Sequence, residues 1–342
     1  MIDFRTLPDL ASRALGGSVM YASDEFFADA QQLIAAAPAR HDPAAFGPRG
    51  KVYDGWETRR RRELGADFVV VRLAVPGIVR YVDIDTSHFK GNYPPHATVQ
   101  ATTLLGYPNV HEVLAAQWQP LLDKVDLAGD TANTFPVKAP EQLVTHVRLT
   151  IHPDGGVARF RVFGEVAPDP RRLGGRVDLA AVTNGGLVEA CSNMFFASPA
   201  NVVAPGQATV MSDGWETERR RDAGNDWLVV RLAVPGVLHE AVIDTSRFLG
   251  NAPGWAALSD PDSGAVLLPR TRLLPDTEHR LRLAAAPPAA RVRLDIYPDG
   301  GIARLRLLGS VTEDARAALA QRWLELLPAE VAASVDHTDF FA

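Results

Sequence analysis

Cysteine is almost missing from this chain. Cys191 is the only one in 342 residues, so an intrachain disulfide is ruled out. Long apolar runs are missing as well: no window approaches the roughly 18–20 residues that a membrane span needs. The opening "MIDFRTLPDLASRALGG" carries Asp3, Arg5 and Asp9 and lacks an apolar stretch of leader length. A soluble, cytosolic protein without a membrane partner is therefore expected. A positive excess is absent too. Lysine and arginine number 35 against 41 acids, a formal charge of −6, which disfavours a nucleic-acid partner. Signature chemistry is also missing. There is no HExxH, no cysteine pair and no EF-hand loop, so no metal motif. At most a loose divalent-cation site from Asp24, Asp54, Asp85 and His88 is left open. Neither a nucleophile elbow nor a phosphate loop occurs, and no nucleotide cofactor is expected.

What is present occurs twice. "DGWETRRRR" (54–62) returns as "DGWETERRR" (213–221). Over 54–92 and 213–251, 25 of 39 positions are identical, and "VRLAVPG" and "IDTS" recur whole. Upstream, "GGSVMYASDEFFA" (16–28) echoes "GGLVEACSNMFFA" (185–197). Downstream, "VRLTIHPDGGVARFRVFG" (147–164) echoes "VRLDIYPDGGIARLRLLG" (292–309). A unit of about 150 residues is too long for a solenoid repeat, so each is a whole domain. The joint falls in the Pro/Gly-rich "APDPRRLGGRVDLAAVTNGG", which divides the chain into 1–170 and 171–342.

Strand signals dominate each unit. "DFVVVRLAV" ends at Pro76-Gly77 and alternates, with Val69, Val71, Leu73 and Val75 on one face. "IVRYVDID" reads as the next strand. "HVRLTIH-PDGG-VARFRVFG" reads as a hairpin with Val147, Leu149 and Ile151 inward and Arg148, Arg159 and Arg161 on the polar face. Helical signals are few. "DEFFADAQQLIAAA" holds a turn or two. Residues 312–333 form an amphipathic helix with Thr312 as N-cap and no counterpart after the first repeat. This helix is expected to pack at a domain or subunit interface. The pattern predicts an all-β protein of two tandem jelly-roll sandwiches, a few short helices and a C-terminal helix.

"PDLASRALGGSVMYASDEFFA", "DGWETRRRR", "VVRLAVPGIVRYVDIDTSHFKGNYPP" and the duplicated "DGWETERRR…DWLVVRLAVPG…IDTS" together closely resemble the allantoicase (allantoate amidinohydrolase) family, in order and in both repeats. The resemblance implies two jelly rolls similar to galactose-binding and discoidin domains. It also implies hydrolysis of allantoate to ureidoglycolate and urea, a step of allantoin and purine breakdown. The rival reading is a non-catalytic tandem module that binds a carbohydrate or other small ligand.

Allantoate carries one carboxylate and two ureido groups on a single carbon. Its cleavage needs a guanidinium for the carboxylate and an acid and a base for the C–N bond. Arg60 and Arg61 in the arginine run are candidates for the first task, against a structural network bridging Glu57 and Asp67. Arg72, within an apolar strand, is either a substrate ligand or half of a buried pair with Asp85 on the next strand. Glu57, beside Trp56, is a candidate acid, with a capping or salt-bridge role as its alternative. Repeat 1 alone has His88, Tyr93 and His96, where repeat 2 has Arg247, Ala252 and Trp255. His88 and His96 are candidate proton carriers, and Tyr93 and Asp85 candidate substrate contacts. A loop packed on the other repeat is the plainer alternative. His111, His146 and His152 read as structural. A homo-oligomer is compatible with the sequence.

Overall fold

The computed structural model describes residues 4–336. The chain divides into two compact units. Among the described residues, the first runs to Ala167 and includes Leu326–Val335; the second is Pro168–Glu325 with Asp336. Both are antiparallel β-sandwiches of the predicted jelly-roll class.

In the first unit the organising element is one strand of 19 residues, Asp67–Asp85. Its first half pairs with Ser18–Ala22 and Val144–His152, and its second half with Ala132–Pro136 and Arg159–Val166. The sheet continues from Val144–His152 to His96–Thr102 and Gln119–Asp126. The changeover between sheets falls at Pro76-Gly77. Proline has no N–H for a central ladder. A Cβ on Gly77 would lie 2.4 Å from the Glu165 carbonyl oxygen. "DFVVVRLAV" and "IVRYVDID" are therefore one strand serving two sheets, not two strands.

The expected Pro-Asp-Gly-Gly hairpin is corrected in the same way. Val144–His152 and Arg159–Val166 do not pair with each other. They pair with opposite halves of Asp67–Asp85 and so lie in opposite sheets. The segment between them turns the corner of the sandwich. Val147, Leu149 and Ile151 are fully buried as predicted, and join Val69, Val71, Leu73, Val82, Ile84, Phe160 and Val162 in the core. Each such side chain contributes roughly 1.5–3 kcal/mol by leaving water. Arg159 departs from its predicted polar face: it is 2% exposed.

The second unit repeats the plan. Asp226–Asp244 pairs with Leu187–Cys191 and Ala289–Tyr297 through its first half, and with Glu278–Arg282 and Arg304–Val311 through its second. The C-terminal helix is shorter than predicted. Thr312 does accept the Ala315 amide, but the helix spans Glu313–Leu326. Pro328, unable to continue a helix, precedes a second one at Ala329–Ser334.

Candidate active site

The repeated Asp-Gly-Trp-Glu-Thr block is a latch between strands. Gly55 sits where a Cβ would lie 2.5 Å from the Val157 carbonyl oxygen. Close approach, not an unusual φ, is what demands glycine there. Trp56 is fully buried and its Nε1 donates to the Asp24 carbonyl at 2.7 Å. Thr58 Oγ1 accepts the Gly155 amide at 3.1 Å. Trp215 and Thr217 repeat both bonds with Asn193 and Gly300. Each latch therefore closes its own sandwich.

Two of the four arginines in the run, Arg59 and Arg61, are committed to structure. Arg59 pairs with Asp24 at 2.5 Å and lies over the Phe26 ring. Arg61 pairs with Asp67 at 2.7 Å, and its amide donates to Asp154. Asp67 is 1% exposed. Arg220 repeats this brace with Asp226 and Asp299. Arg60 is exposed and makes no hydrogen bond or ion pair among the described residues. Of the two run members singled out from sequence, Arg61 thus has its carboxylate already and Arg60 does not.

Glu57 accepts from Asn92 Nδ2 at 2.7 Å through Oε1. Its Oε2 is buried and has no partner among the described residues. Burial raises its pKa above the usual carboxylate value, and the Asn92 bond offsets only part of that. Glu216 and Asn251 form the same bond at 2.6 Å, so the pair itself belongs to the shared fold.

The repeats differ in a loop. The echo 16–28/185–197 is offset by 169 residues and the echo beginning at 54/213 by 159, so repeat 1 has ten extra residues between Ala28 and Asp54. That longer segment is held by Arg159. Its guanidinium donates to the carbonyls of Ala37 (2.9 Å), Pro38 (3.3 Å) and Asp54 (3.2 Å), and to Asp54 Oδ2 (2.8 Å). The same Oδ2 accepts the Arg40 amide at 2.8 Å. Burial would raise the Asp54 pKa; the bonds from Arg159 and Arg40 outweigh it and hold the carboxyl below its usual value. Asp42 then caps a turn by accepting the Ala44 amide. A small hairpin of Phe46–Gly47 and Gly50–Lys51 follows. Asp213 has no such partner: its carboxylate takes Thr209 and Val210 instead.

The longer loop encloses a pocket of about 390 Å³. Polar Gln32, Arg40, His41, Asp42, Tyr53 and Asp54 line it with apolar Phe27, Ala28, Ala45 and Val52. His88 lies beside it. Its ring is 5.4 Å from that of His41, and its Nε2 is 3.4 Å from the Ala39 carbonyl oxygen. The His88 backbone is left-handed, φ 71°, and its amide donates to Asp130 at 2.7 Å. Arg247 has the same conformation, φ 75°, with Asp276. The fold sets the backbone, and the side chain alone distinguishes the repeats.

Neither Glu57 nor Arg60 is among the residues that line this pocket, and the remaining sequence candidates are not brought to it either. His96 begins the strand His96–Thr102, bonded to Asp126 at 2.8 Å and opposite His152 in the register. Tyr93 packs on the core. Arg72 donates to the Gly16 carbonyl, and its expected pairing with Asp85 fails because both residues lie on one strand, thirteen positions apart. Asp85 accepts the Ser87 amide at 2.8 Å. Asp24 and Asp54 are each taken by an arginine, and among the described residues no three His, Cys, Asp or Glu gather into a metal-holding group. Sequence reasoning missed Arg40 and His41. The signal was available in the change of repeat offset.

This geometry defines a class: a duplicated β-sandwich in which one copy has a longer loop bordering a pocket of mixed polar and apolar lining. The sequence model of the allantoicase repeat matches residues 8–167 and 177–312, and the chain belongs to the allantoicase family. It is 54% identical to a probable allantoicase of Nocardia farcinica over 90% of this chain and 95% of that one. Identity to a probable allantoicase of Streptomyces coelicolor is 46%, covering 95% and 91%. The crystal structure of Saccharomyces cerevisiae allantoicase superposes with a TM-score of 0.78 at 31% identity, covering 90% and 96%.

Proposed function

We propose that this protein hydrolyses allantoate to ureidoglycolate and urea in purine breakdown, and that the reaction takes place in the first unit. Family membership along both repeats supports the reaction. The observation that carries the location is the loop of ten extra residues, which borders a pocket beside His88. A volume of about 390 Å³ lies within the roughly 300–1,000 Å³ range of small-ligand sites. In this reading Arg60 reaches for the substrate carboxylate, and Glu57 and His88 are the proton-transfer candidates carried over from the sequence.

The protein is further proposed to work in the cytoplasm on a small molecule alone, without nucleic acid; self-association is compatible with the reading. No helix among the described residues is long and apolar enough to cross a membrane. The test is urea release from allantoate by the purified chain. Release at enzymatic rates, lost on changing pocket residues, is expected. Binding of a small ligand without urea release would leave the non-catalytic reading in its place.

A further inference from the structure

We propose that His41, from the longer loop of repeat 1, is the second member of an acid–base pair with His88. The proposal rests on allantoate being the substrate. Two imidazoles from separate loops meet with ring centres 5.4 Å apart and planes tilted by 35°. His41 lines the pocket and is exposed; His88 is half-buried at its side. Repeat 2 has Arg247 in place of His88 and lacks the longer loop. The two rings therefore meet only where the loop and the pocket also occur.

The loop's anchoring explains how an exposed histidine is placed. Arg159 holds the carbonyls of Ala37 and Pro38, and Asp54 holds the Arg40 amide. His41 follows directly. The His88 Nε2 contact with the Ala39 carbonyl assigns the hydrogen of neutral His88 to Nε2, since a carbonyl only accepts. Nδ1 is left with a free lone pair, as a base requires.

The chemistry balances with two groups of this kind. His88 Nδ1 takes the proton from the nitrogen of the ureido group that stays. The electron pair of that N–H bond forms a C=N bond to the central carbon. The bond from this carbon to the other ureido nitrogen breaks, and protonated His41 delivers a proton to the departing nitrogen, releasing urea. Water then adds to the C=N carbon. The nitrogen regains a proton from the His88 imidazolium and neutral His41 accepts one from the water. The product is ureidoglycolate, and both histidines return to their starting states.

The charged groups around the pair are Asp29, Arg40, Asp42 and Asp54 in the pocket, and Asp130 and Lys90 beside His88.

The experiment uses the full chain and allantoate. In His41→Ala, kcat should fall by about 10²–10³-fold with KM within about threefold, as for a lost proton-transfer group. One limb of the bell-shaped kcat profile should disappear, and millimolar imidazole should restore part of the rate. His88→Ala should remove the other limb. Arg247→Ala, at the matching position of repeat 2, should keep wild-type turnover. His41 is exposed, so an unchanged melting temperature in His41→Ala is expected and separates chemistry from folding. Wild-type kcat in His41→Ala, or a loss that keeps both limbs and ignores imidazole, overturns the pair while leaving the substrate reading intact. Absence of urea release by the wild type sinks the substrate reading itself.

Discussion

Glu57 and Asn92 share one hydrogen bond, Asn92 Nδ2 to Glu57 Oε1 at 2.7 Å, while Glu57 Oε2 is buried with no partner among the described residues. A buried carboxyl in that state favours the protonated form, and its pKa is raised by burial. Its folded pKa therefore lies above the unfolded value of 4.5. Stability from this group is fully present below the unfolded pKa and is lost as pH rises through the folded one. Glu57→Gln should thus raise the melting temperature at pH 7.5, because a neutral amide replaces a buried charge. A fall in kcat of about 10²-fold in the same variant would transfer the acid's part from His41 to the carboxyl. Glu216→Gln should leave turnover unchanged. A Glu57→Gln protein with full activity would reduce the pair to the structural part it shares with Glu216 and Asn251.

Arg159 and Asp54 make the second prediction. Arg159 is 2% exposed and has five hydrogen bonds, one of them to the Asp54 carboxylate. Removing one partner of a buried ion pair costs about 3–5 kcal/mol. Asp54 is partly open to solvent, so Arg159→Met should fall near the lower end. In denaturant titration the first unit should unfold earlier. kcat/KM should fall as well, because the loop bearing Arg40 and His41 loses its anchor. Asp54→Asn keeps the shape and should lose less stability. Equal stability of Arg159→Met and wild type would mean that the loop is held by other contacts.

The arginine run separates into members with different parts. Arg61→Met and Arg220→Met should each lower the melting temperature, since each leaves a nearly buried aspartate, Asp67 or Asp226, without its guanidinium. Arg60→Met should leave stability alone and weaken allantoate use. A lost charge-assisted contact is worth roughly 1.5–3 kcal/mol, or about 10- to 150-fold in kcat/KM. Unchanged kinetics in Arg60→Met would move carboxylate binding to another cation, and Arg40 in the pocket would be the next to test.

The fold was legible in the sequence because duplication reinforces it. Two copies of "VRLAVPG" and of the Pro-Asp-Gly-Gly block gave the strands, and alternation gave the buried valines. Connectivity was less legible. A Pro-Gly step reads locally as a strand end, yet here one strand passes through it from sheet to sheet. Pro-Asp-Gly-Gly reads as a hairpin turn, yet it joins opposite sheets. Both errors arise because periodicity reports which face a residue takes, not which neighbour it pairs with. His88 could be singled out from the sequence because the repeats differ there by substitution. His41 was not singled out, because the repeats differ there by length: the change of offset marks the loop but no residue within it. Arg61 was misleading for a physical reason: a guanidinium that braces its own fold and one that binds an anion look alike in sequence.

His146 supplies the last prediction, one of stability alone. It is 1% exposed, its Nδ1 is 2.9 Å from Thr145 Oγ1, and its Nε2 has no partner among the described residues. Burial, with the Arg72 charge in second place, lowers its pKa from 6.5 to about 4. The folded protein therefore holds this ring neutral at pH values where the unfolded chain would protonate it. The sign follows directly: stability is full above pH 6.5, falls as the unfolded chain takes up its proton, and levels off below about 4. The swing over that window is on the order of 3 kcal/mol. His146→Gln removes the titration and keeps polar atoms near Thr145. Urea unfolding midpoints measured from pH 7.5 to 4.5 should drop less steeply in the variant than in the wild type, and the two curves should converge toward low pH. Parallel curves would show that the ring is solvated in solution and that the acid sensitivity of the first unit lies in other groups.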